Sequence, residues 1–204
     1  MRVRTEDKRR EIVEIAAQLF QEQGYDRTSM SQISERVGGS KATLYGYFKS
    51  KEELLMAVLY QDIGTKADEM MANFLAVDDL REGLVALGIA YLTRRLSDRP
   101  TANMRMLAAQ PEELGLGKRF FENVLQPAWR RLAWRIGKMM DDGQLRQADP
   151  WMAAMQWKGM VEADMTDRRL IGALREADPE EVRRYAVAAA DAFLTLYGAK
   201  VGKD

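Results

Sequence analysis

Apolar side chains recur at intervals of three and four residues along almost the whole of this sequence, and that spacing restricts its fold more than any other feature. Residues three and four apart lie on one face of an α-helix, as Ile12, Ile15 and Leu19 do in the first such segment. No stretch shows the strict alternation of apolar and polar residues that marks a half-buried strand. We therefore predict an all-α protein of about nine helices.

Glycine and serine divide the amino-terminal part of the chain into three predicted helices. The first helix spans residues 8–23, and two short ones follow, at 29–37 and from Ser40 onwards. Gly38-Gly39 separates the two short helices, and Ser40 is a favourable N-cap for the second of them. Two short helices joined by a tight glycine turn predict a helix-turn-helix unit within an amino-terminal domain of residues 1–50.

A longer series of helices follows this unit. The fourth helix is predicted from Lys51 to about Ala76, and five more begin near positions 80, 100, 120, 150 and 179. In the seventh helix, Pro127 either produces a kink or moves the true start to Gln126. Residues 51–204 are thus predicted to form a second, larger helical domain.

The composition excludes several classes of function. The chain contains no cysteine and no histidine, and its 31 basic residues balance 31 acidic ones. These absences remove disulfides, thiolate zinc sites and hydrolases of the Ser-His-Asp class, and they leave out the commonest metal ligand. No apolar run approaches the roughly 18 residues that span a bilayer, and the amino terminus does not resemble a signal peptide. We expect a cytoplasmic protein with no cofactor, no metal and no enzymatic activity.

Positive charge is concentrated at the amino terminus. Residues 1–10 contain the basic side chains of Arg2, Arg4, Lys8, Arg9 and Arg10 and only two acidic ones. Basic side chains in such an arm can contact DNA phosphates. A solvated, frayed chain end is the alternative interpretation, and both remain open at this point.

The segment 28–54 combines the features that a DNA-binding motif needs. A helix start offers free backbone N–H groups to a phosphate, and cations lie beside a short exposed helix. In that helix Leu44 and Phe48 are one turn apart and can anchor it in a core, whereas Lys41 and Tyr45 project from other faces. The segment is therefore suited to docking on a partner.

The same segment resembles the amino-terminal signature of the TetR family of transcriptional regulators. The resemblance is carried, in chain order, by Gly24, Tyr25, Thr28, Ser29, Ile33, Ser40, Lys41, Thr43, Leu44, Tyr45, Tyr47, Phe48, Lys51, Glu52, Glu53 and Leu54. It implies a homodimer that binds double-stranded operator DNA through a helix-turn-helix and uses a larger helical domain for dimerisation and ligand binding. The resemblance implies a repressor that an unidentified small, largely apolar effector releases from its operator.

The resemblance also implies roles for individual residues. Phosphate contacts are expected from Thr28 or Ser29, Tyr47 and Lys51, and base or groove contacts from Ser40, Lys41, Thr43 and Tyr45. Alternatively, Thr28 only caps its helix and Lys51 is a solvated lysine. The sequence departs from the family pattern at Ser34 and Val37, where small alanines are usual, and at Gly39 and Gly46. We expect the two glycines to loosen the unit and to remove contact surface.

A ligand site is predicted among the middle helices, which are rich in methionine and aromatic residues. Methionine adapts to varied apolar shapes, and pockets between helices of bundles commonly hold ligands. The residues expected to contact a ligand are Met70, Phe74, Tyr91, Met104, Leu107, Phe121, Trp129 and Met155. An ordinary apolar core is the alternative interpretation. Glu162 and Asp164 would select a cation if they faced inward, whereas solvation at the surface is the simpler expectation.

The eighth and ninth predicted helices present apolar faces that suit a dimer interface. Alanines on such faces permit a close approach of helices. By family resemblance, a four-helix interface is expected to include Trp157, Met160, Val161, Ala186, Ala189, Phe193 and Leu196. Burial inside one protomer is the alternative for each of these side chains.

Three classes of function follow from these observations. The preferred hypothesis is a ligand-responsive repressor that binds DNA. The second is a helical adaptor that presents its second and third helices to a protein partner without binding DNA, and the third is a helical enzyme with carboxylate chemistry. Steep salt dependence of binding separates the first from the second, because DNA binding displaces counterions.

Overall fold

The computed structural model describes residues 5–75 and 77–199, with side chains throughout these ranges except at 62–68, 73 and 75. Arg2 and Arg4 of the basic amino-terminal run lie outside the described residues. So does Ala76, at which the fourth helix was expected to end.

The described residues form an all-α fold, as the sequence predicts, with eleven α-helices. Their bounds are α1 Glu6–Gln23, α2 Met30–Arg36, α3 Lys41–Tyr47, α4 Lys51–Leu75, α5 Leu80–Arg95, α6 Asp98–Ala108, α7 Leu116–Phe120, α8 Gln126–Asp141, α9 Pro150–Glu162, α10 Met165–Leu170 and α11 Pro179–Tyr197. The two helices beyond the predicted nine are α7 and α10, which have only five and six residues. Helices this short carry too little periodic pattern to be recognised in a sequence.

Local capping explains the form of the helix-turn-helix. Ser29 and Gln32 form a reciprocal capping box at the start of α2. Ser40 caps α3 by accepting a hydrogen bond from the backbone N–H of Thr43 at 3.1 Å. Between the two helices Gly38 adopts a φ of 67°, a left-handed conformation that glycine reaches without the steric penalty of a Cβ atom.

A first apolar core joins α1, α2 and α3 and extends well beyond them. Ile12, Ile33 and Leu44 are buried at its centre. Later helices also contribute to it, through Leu54, Leu55, Val58, Leu107, Leu116, Phe120 and Val124. The helix-turn-helix is therefore packed against α4, α6 and α7 as one continuous core.

A second core is formed mainly by α5, α8, α9 and α11, with Trp157 and Phe193 fully buried inside it. Helices α5 and α11 approach each other closely at Gly88. A Cβ atom at that position would lie 3.0 Å from the Ala186 Cβ, so a side chain there would force the helices apart. Phe74 of α4 also belongs to this core. The division of the chain after residue 50 remains a prediction, because α4 contributes to both cores.

A π-helical turn, Phe121–Leu125, connects α7 to α8. The backbone N–H of Gln126 donates to the carbonyl of Phe121, five residues earlier, instead of four. Pro127, next in the chain, has no N–H to continue an α-helical ladder into the preceding turn. Helix α8 accordingly begins at Gln126, which is one of the two outcomes predicted from the proline.

Neither a membrane span nor a metal cluster is present in the part of the chain that the structure describes. Every helix there is too short or too polar to cross a bilayer. Acidic side chains in the same ranges do not gather in groups of three or more that could hold a metal ion.

Candidate DNA-binding surface and ligand cavity

One side of α3 is exposed and polar, and the other is buried. Lys41 is exposed and the Tyr45 ring is 50% exposed, whereas Leu44 and Phe48 lie in the first core. At the start of the helix, the hydroxyl groups of Ser40 and Thr43 are 2.9 Å apart near the surface. Of the four residues expected to contact bases or the groove, Lys41 and Tyr45 share this exposed face, and Ser40 and Thr43 lie together at the start of the helix.

Thr28 and Ser29 differ sharply in their surroundings. The Thr28 side chain is only 1% exposed, and its hydroxyl donates to the Gly24 carbonyl at 2.7 Å. The prediction that this hydroxyl contacts a phosphate is therefore wrong, because burial and an internal acceptor occupy it. Ser29 is exposed at the start of α2, where its hydroxyl accepts a hydrogen bond from the backbone N–H of Gln32.

Lys51 is held by the protein instead of extending freely into solvent. Its ammonium group donates to the carbonyls of Tyr25 at 2.8 Å and Asp26 at 3.4 Å, and it lies 4.2 Å from the centre of the Tyr25 ring. These contacts connect the start of α4 to the loop between α1 and α2. An ammonium has three donors, so one remains for a phosphate in addition to this internal role.

Tyr47 also has an internal partner. Its hydroxyl accepts a hydrogen bond from the backbone N–H of Thr5 at 3.0 Å, which fixes the ring next to the start of α1. The phenolic proton is not used in this bond and can be donated to a phosphate oxygen. The same region holds Arg9 of the basic run, with its guanidinium 5.1 Å from the centre of the Phe48 ring.

The departure from the family pattern at Ser34 has a structural explanation. Ser34 is buried, and its hydroxyl donates to the carbonyl of Gly39 at 3.0 Å. This bond ties α2 to the turn before α3, so the serine stabilises a turn that we expected Gly39 to loosen. The sequence pattern gave no indication of this bond, because its partner is a backbone atom.

A cavity of about 350 Å³ lies between α4, α5, α6, α8, α9 and α10. Four of the eight side chains expected to contact a ligand line it: Met70, Tyr91, Met104 and Trp129. Other apolar parts of its wall come from Leu59, Met71, Leu87, Phe120, Leu125, Leu132 and Trp157. Its size falls within the range of small-molecule sites in proteins.

The other four expected side chains do not line the cavity. Phe121 is 46% exposed, and its neighbour Phe120 lines the cavity instead. Phe74 is buried against Gly83, with ring carbons 3.2 Å from the Cβ position there. Leu107 belongs to the first core, and Met155 packs against the second.

A polar cluster forms part of the cavity wall. The Tyr91 hydroxyl donates to one carboxylate oxygen of Glu162, and the Lys158 ammonium is 2.6 Å from the other. Burial and the nearby charge of Glu162 raise the pKa of Tyr91 well above its usual value, so the phenol stays protonated and donates. Glu162 therefore faces inward, whereas Asp164 lies at the surface and accepts a hydrogen bond from Tyr185 at 2.6 Å.

Sequence reasoning missed the basic residues of the cavity. Arg94, Arg95 and Arg131 line it together with Lys158. A signal for two of them was available, because Arg94 and Arg95 follow Tyr91 by three and four positions and so share its helix face. Charged residues in the last turn of a helix are usually solvated, which is why the pattern was not interpreted as part of a site.

Comparison with known proteins identifies the family. Residues 12–58 match the family described as bacterial regulatory proteins, tetR family, and residues 82–199 match the AefR-like transcriptional repressor, C-terminal domain. The second match alone covers more than half of the chain. The chain belongs to the TetR family. It is a transcriptional regulator with a helix-turn-helix, as the sequence predicted.

Individual regulators are similar to this chain over most of their length. A structure described as a putative TetR-family transcriptional regulator from Mesorhizobium loti is 25% identical and superposes with a TM-score of 0.87, covering 97% of this chain and all of its own. The flavonoid-responsive regulator FrrA is also 25% identical, with a TM-score of 0.76 over the same shares of both chains. The uncharacterized HTH-type transcriptional regulator YhgD of Bacillus subtilis is 27% identical over 72% of this chain and 77% of its own.

In this TetR-family regulator, most side chains expected at the dimer interface are buried inside the protomer. They are Trp157, Val161, Ala186, Ala189 and Phe193, none more than 3% exposed. These five predictions are wrong, because the apolar stripes of α9 and α11 face the second core. Of the remaining two residues, Leu196 is 47% exposed and Met160 is half-buried.

The outer faces of α9 and α11 are exposed and lined by small or uncharged side chains. They carry Met152, Gln156, Gly159, Ala188, Ala192, Thr195 and Leu196, and the charged side chains of Arg184 and Asp191 are exposed beside them on α11. The Tyr197 hydroxyl of α11 donates to the Gln156 side chain of α9, so the exposed edges of the two helices lie side by side. The two predicted interface helices therefore present one continuous outer surface, in which Leu196 is the one residue shared with the prediction.

Glu14 forms a polar junction between the helix-turn-helix and the larger domain. One carboxylate oxygen accepts a hydrogen bond from the Gln61 amide of α4 at 2.6 Å. The other lies 3.4 Å from the guanidinium of Arg99, in the first turn of α6. Pro100, the next residue in α6, lines the cavity. The junction thus connects α1 to Arg99, the residue next to Pro100 in the wall of the cavity.

The internal contacts of Lys51 predict a loss of stability when it is replaced. Lys51→Ala removes hydrogen bonds to two carbonyls and should lower the free energy of unfolding by about 1–3 kcal/mol. Urea denaturation followed by circular dichroism measures this change. Lys49→Ala, an exposed lysine in the adjoining turn, is the matched control and should change stability by less than about 0.5 kcal/mol. Equal stability of the two variants would contradict the internal role.

Proposed function

We propose that this TetR-family regulator is a cytoplasmic homodimeric repressor that leaves its operator when a small, largely apolar molecule occupies the cavity. The observation that carries the proposal is the position of α6 and Phe120. Met104 of α6 and Phe120 line the cavity, while Leu107 and Phe120 belong to the core of the helix-turn-helix. An occupant that displaces these side chains therefore acts directly on the DNA-binding module.

The exposed face of α3 supports operator recognition. A helix in the major groove reads base edges through side chains that project from it, and Lys41 and Tyr45 are exposed in that way. Tyr47, Lys51 and Ser29 lie around this face and would hold phosphates on either side of the groove. Internal contacts of Tyr47 and Lys51 keep both side chains ordered before DNA arrives.

The continuous outer surface of α9 and α11 supports dimerisation. Its small side chains allow two copies of the pair to approach closely as a four-helix bundle. A symmetric dimer presents its two recognition helices to successive major grooves, which are about 34–36 Å apart. The distance between the two α3 helices is then set by α4, which connects each module to its half of the dimer.

The route from cavity to DNA supports release by a ligand. Movement of α6 away from the cavity acts on α1 through the Arg99 and Glu14 pair, and on α4 through Gln61 and the shared core. FrrA, a similar structure, is named as a flavonoid-responsive regulator, and a small-molecule response in that relative fits the same architecture. A change in the tilt of α4 would alter the spacing of the two α3 helices.

Operator binding should depend on the exposed face of α3. On an operator selected from genomic fragments, Lys41→Ala and Tyr45→Ala should each weaken binding by about 5- to 150-fold, as expected for groove contacts. Fluorescence anisotropy over a range of salt concentrations measures both affinity and salt dependence. Lys138→Ala, which removes an exposed lysine from α8, should bind as the parent does. Affinity that is unaffected by salt and by both α3 substitutions would instead favour the protein-interaction adaptor.

The dimer should break when charge is placed on the outer face of α11. Ala192→Arg buries an unpaired cation between the two copies, at a cost of several kcal/mol in order of magnitude. Sedimentation at micromolar concentration should then show monomers that retain the helical circular dichroism spectrum. Ala108→Arg, at an exposed alanine of α6, should remain dimeric. A dimeric Ala192→Arg protein would place the interface on another surface.

The Glu14 junction should contribute to communication between cavity and DNA. A ligand found by thermal-shift screening should weaken operator binding, and operator should weaken ligand binding by the same factor. Glu14→Ala should reduce this factor by about 2- to 5-fold, the effect of losing one partly exposed ion pair. Glu11→Ala removes another carboxylate of the same helix, one that pairs with Lys8, and should leave the factor unchanged. If ligand and operator weakened each other's binding by the same factor in Glu14→Ala as in the parent, the coupling would depend on the shared core alone.

A further inference from the structure

The exposed face of α3 includes one residue for which no role was expected. Ala42 is exposed, as are Lys41 before it and Tyr45 after it. Residues three and four apart share a face of a helix, so Ala42 and Lys41 both lie beside Tyr45. They are also the first two residues of α3, and the N-terminal residues of a recognition helix are those that reach base edges. Ala42 therefore lies where bases would be read.

Thr43 and Leu44, the next two residues, face the protein. The Thr43 side chain is half-buried, and its hydroxyl is 2.9 Å from the hydroxyl of Ser40. Ser40 also accepts a hydrogen bond from the backbone N–H of Thr43, which holds this residue against the N-cap. Leu44 is buried in the first core. The methyl group of Ala42 is thus turned outward, whereas that of Thr43 lies beside a residue tied to the helix start.

The side chain of Ala42 is a single methyl group, which neither donates nor accepts a hydrogen bond. In the major groove thymine presents a methyl group at C5, and alanine is one of the side chains that contact it. The edges of adenine, cytosine and guanine present amino donors or ring and carbonyl acceptors there. Against a methyl group these atoms would lose water without gaining a hydrogen bond. Ala42 therefore favours thymine over the other three bases.

The small size of Ala42 suits the same contact. Lys41 and Tyr45 have long side chains, so the exposed face is lower at Ala42 than on either side of it. A thymine methyl group projects from the base edge into the groove and can fill this lower part of the face. A larger residue at position 42 would hold α3 away from the bases. Alanine also has the highest helix propensity, which stabilises this short helix.

We propose that Ala42 is a specificity-determining residue and that it contacts the C5 methyl group of a thymine in each operator half-site. This inference rests on the proposed function, since it names a base of the operator that α3 would read. Lys41, at the preceding position, would reach hydrogen-bond acceptors of a neighbouring base pair. Burial of one methyl group against another apolar group strengthens binding by about fourfold.

Thymine analogues in a selected operator test the contact. A site is isolated from a random duplex library with the full-length protein, and each thymine is then replaced in turn by uracil, which lacks only the C5 methyl group. At one thymine of the half-site, uracil should weaken binding about fourfold, and by about 10- to 20-fold when both half-sites are changed. Cytosine at this position should bind more weakly than uracil, and 5-methylcytosine should recover about fourfold relative to cytosine.

Variants of α3 show whether Ala42 makes the contact. In Ala42→Gly and Ala42→Ser, the ratio of thymine to uracil affinities should fall below about twofold at the thymine identified with the parent. This ratio cancels any general effect of either substitution on the stability of α3. Thr43→Ser removes the neighbouring methyl group and keeps the hydroxyl that contacts Ser40, so it should retain the ratio of about fourfold. Fluorescence anisotropy measures the affinities, and circular dichroism shows that each variant is folded.

The outcomes separate the base contact from the function. A selected operator that binds equally well with uracil at every thymine would overturn the contact and leave operator binding intact. A uracil effect that persists in both Ala42 variants would overturn the role of Ala42, and its loss in Thr43→Ser would assign the contact to Thr43. If the protein selected no DNA at all, the proposed function would fail, and this inference with it.

Discussion

The burial of one helix, α4, in two separate apolar cores is the constraint on which the rest of the structure depends. Its first turns place Leu54, Leu55 and Val58 in the core of the helix-turn-helix, and Phe74 near its other end lies in the core of the larger domain. Protein cores are close-packed, so neither end can move without displacement of its neighbours. The orientation of the DNA-binding module is therefore fixed by packing on both sides of the cavity.

Polar contacts supplement the packing of the two apolar cores, both at the surface and inside the cavity. The Glu14 junction connects α1 to α4 and α6 at the surface, where solvent keeps each interaction weak. Inside the cavity, Tyr91, Glu162 and Lys158 satisfy one another in surroundings that water reaches less easily. Weaker polar contacts at the surface and stronger ones within the cavity fit the proposed function, in which a ligand binds at one site and the other site reorients.

The sequence predicted those features that depend on local patterns. Ser40 caps α3, and Leu44 and Phe48 anchor it, because capping and helical spacing require only near neighbours.

Features that depend on partners distant in sequence were not predicted. The burial of Thr28, the internal bonds of Lys51 and the face that α11 turns inward each depend on another element of the fold. An alanine stripe is equally suited to a partner in the same chain and in another, so the inner and outer faces of α11 could not be distinguished. The arginines of the cavity were missed for a related reason, since a charged last turn is ordinarily solvated.

The π-helical turn before α8 affects which side chains line the cavity. In a regular α-helix, residues five apart point about 140° from each other, yet Phe120 and Leu125 both line the cavity because the turn between them holds one extra residue. Loss of one residue from 121–125 would restore the α-helical ladder while α7 and α8 kept their places. Such a deletion would change which side chains line the cavity, and it would also reach the core of the helix-turn-helix, because Phe120 and Val124 belong to that core.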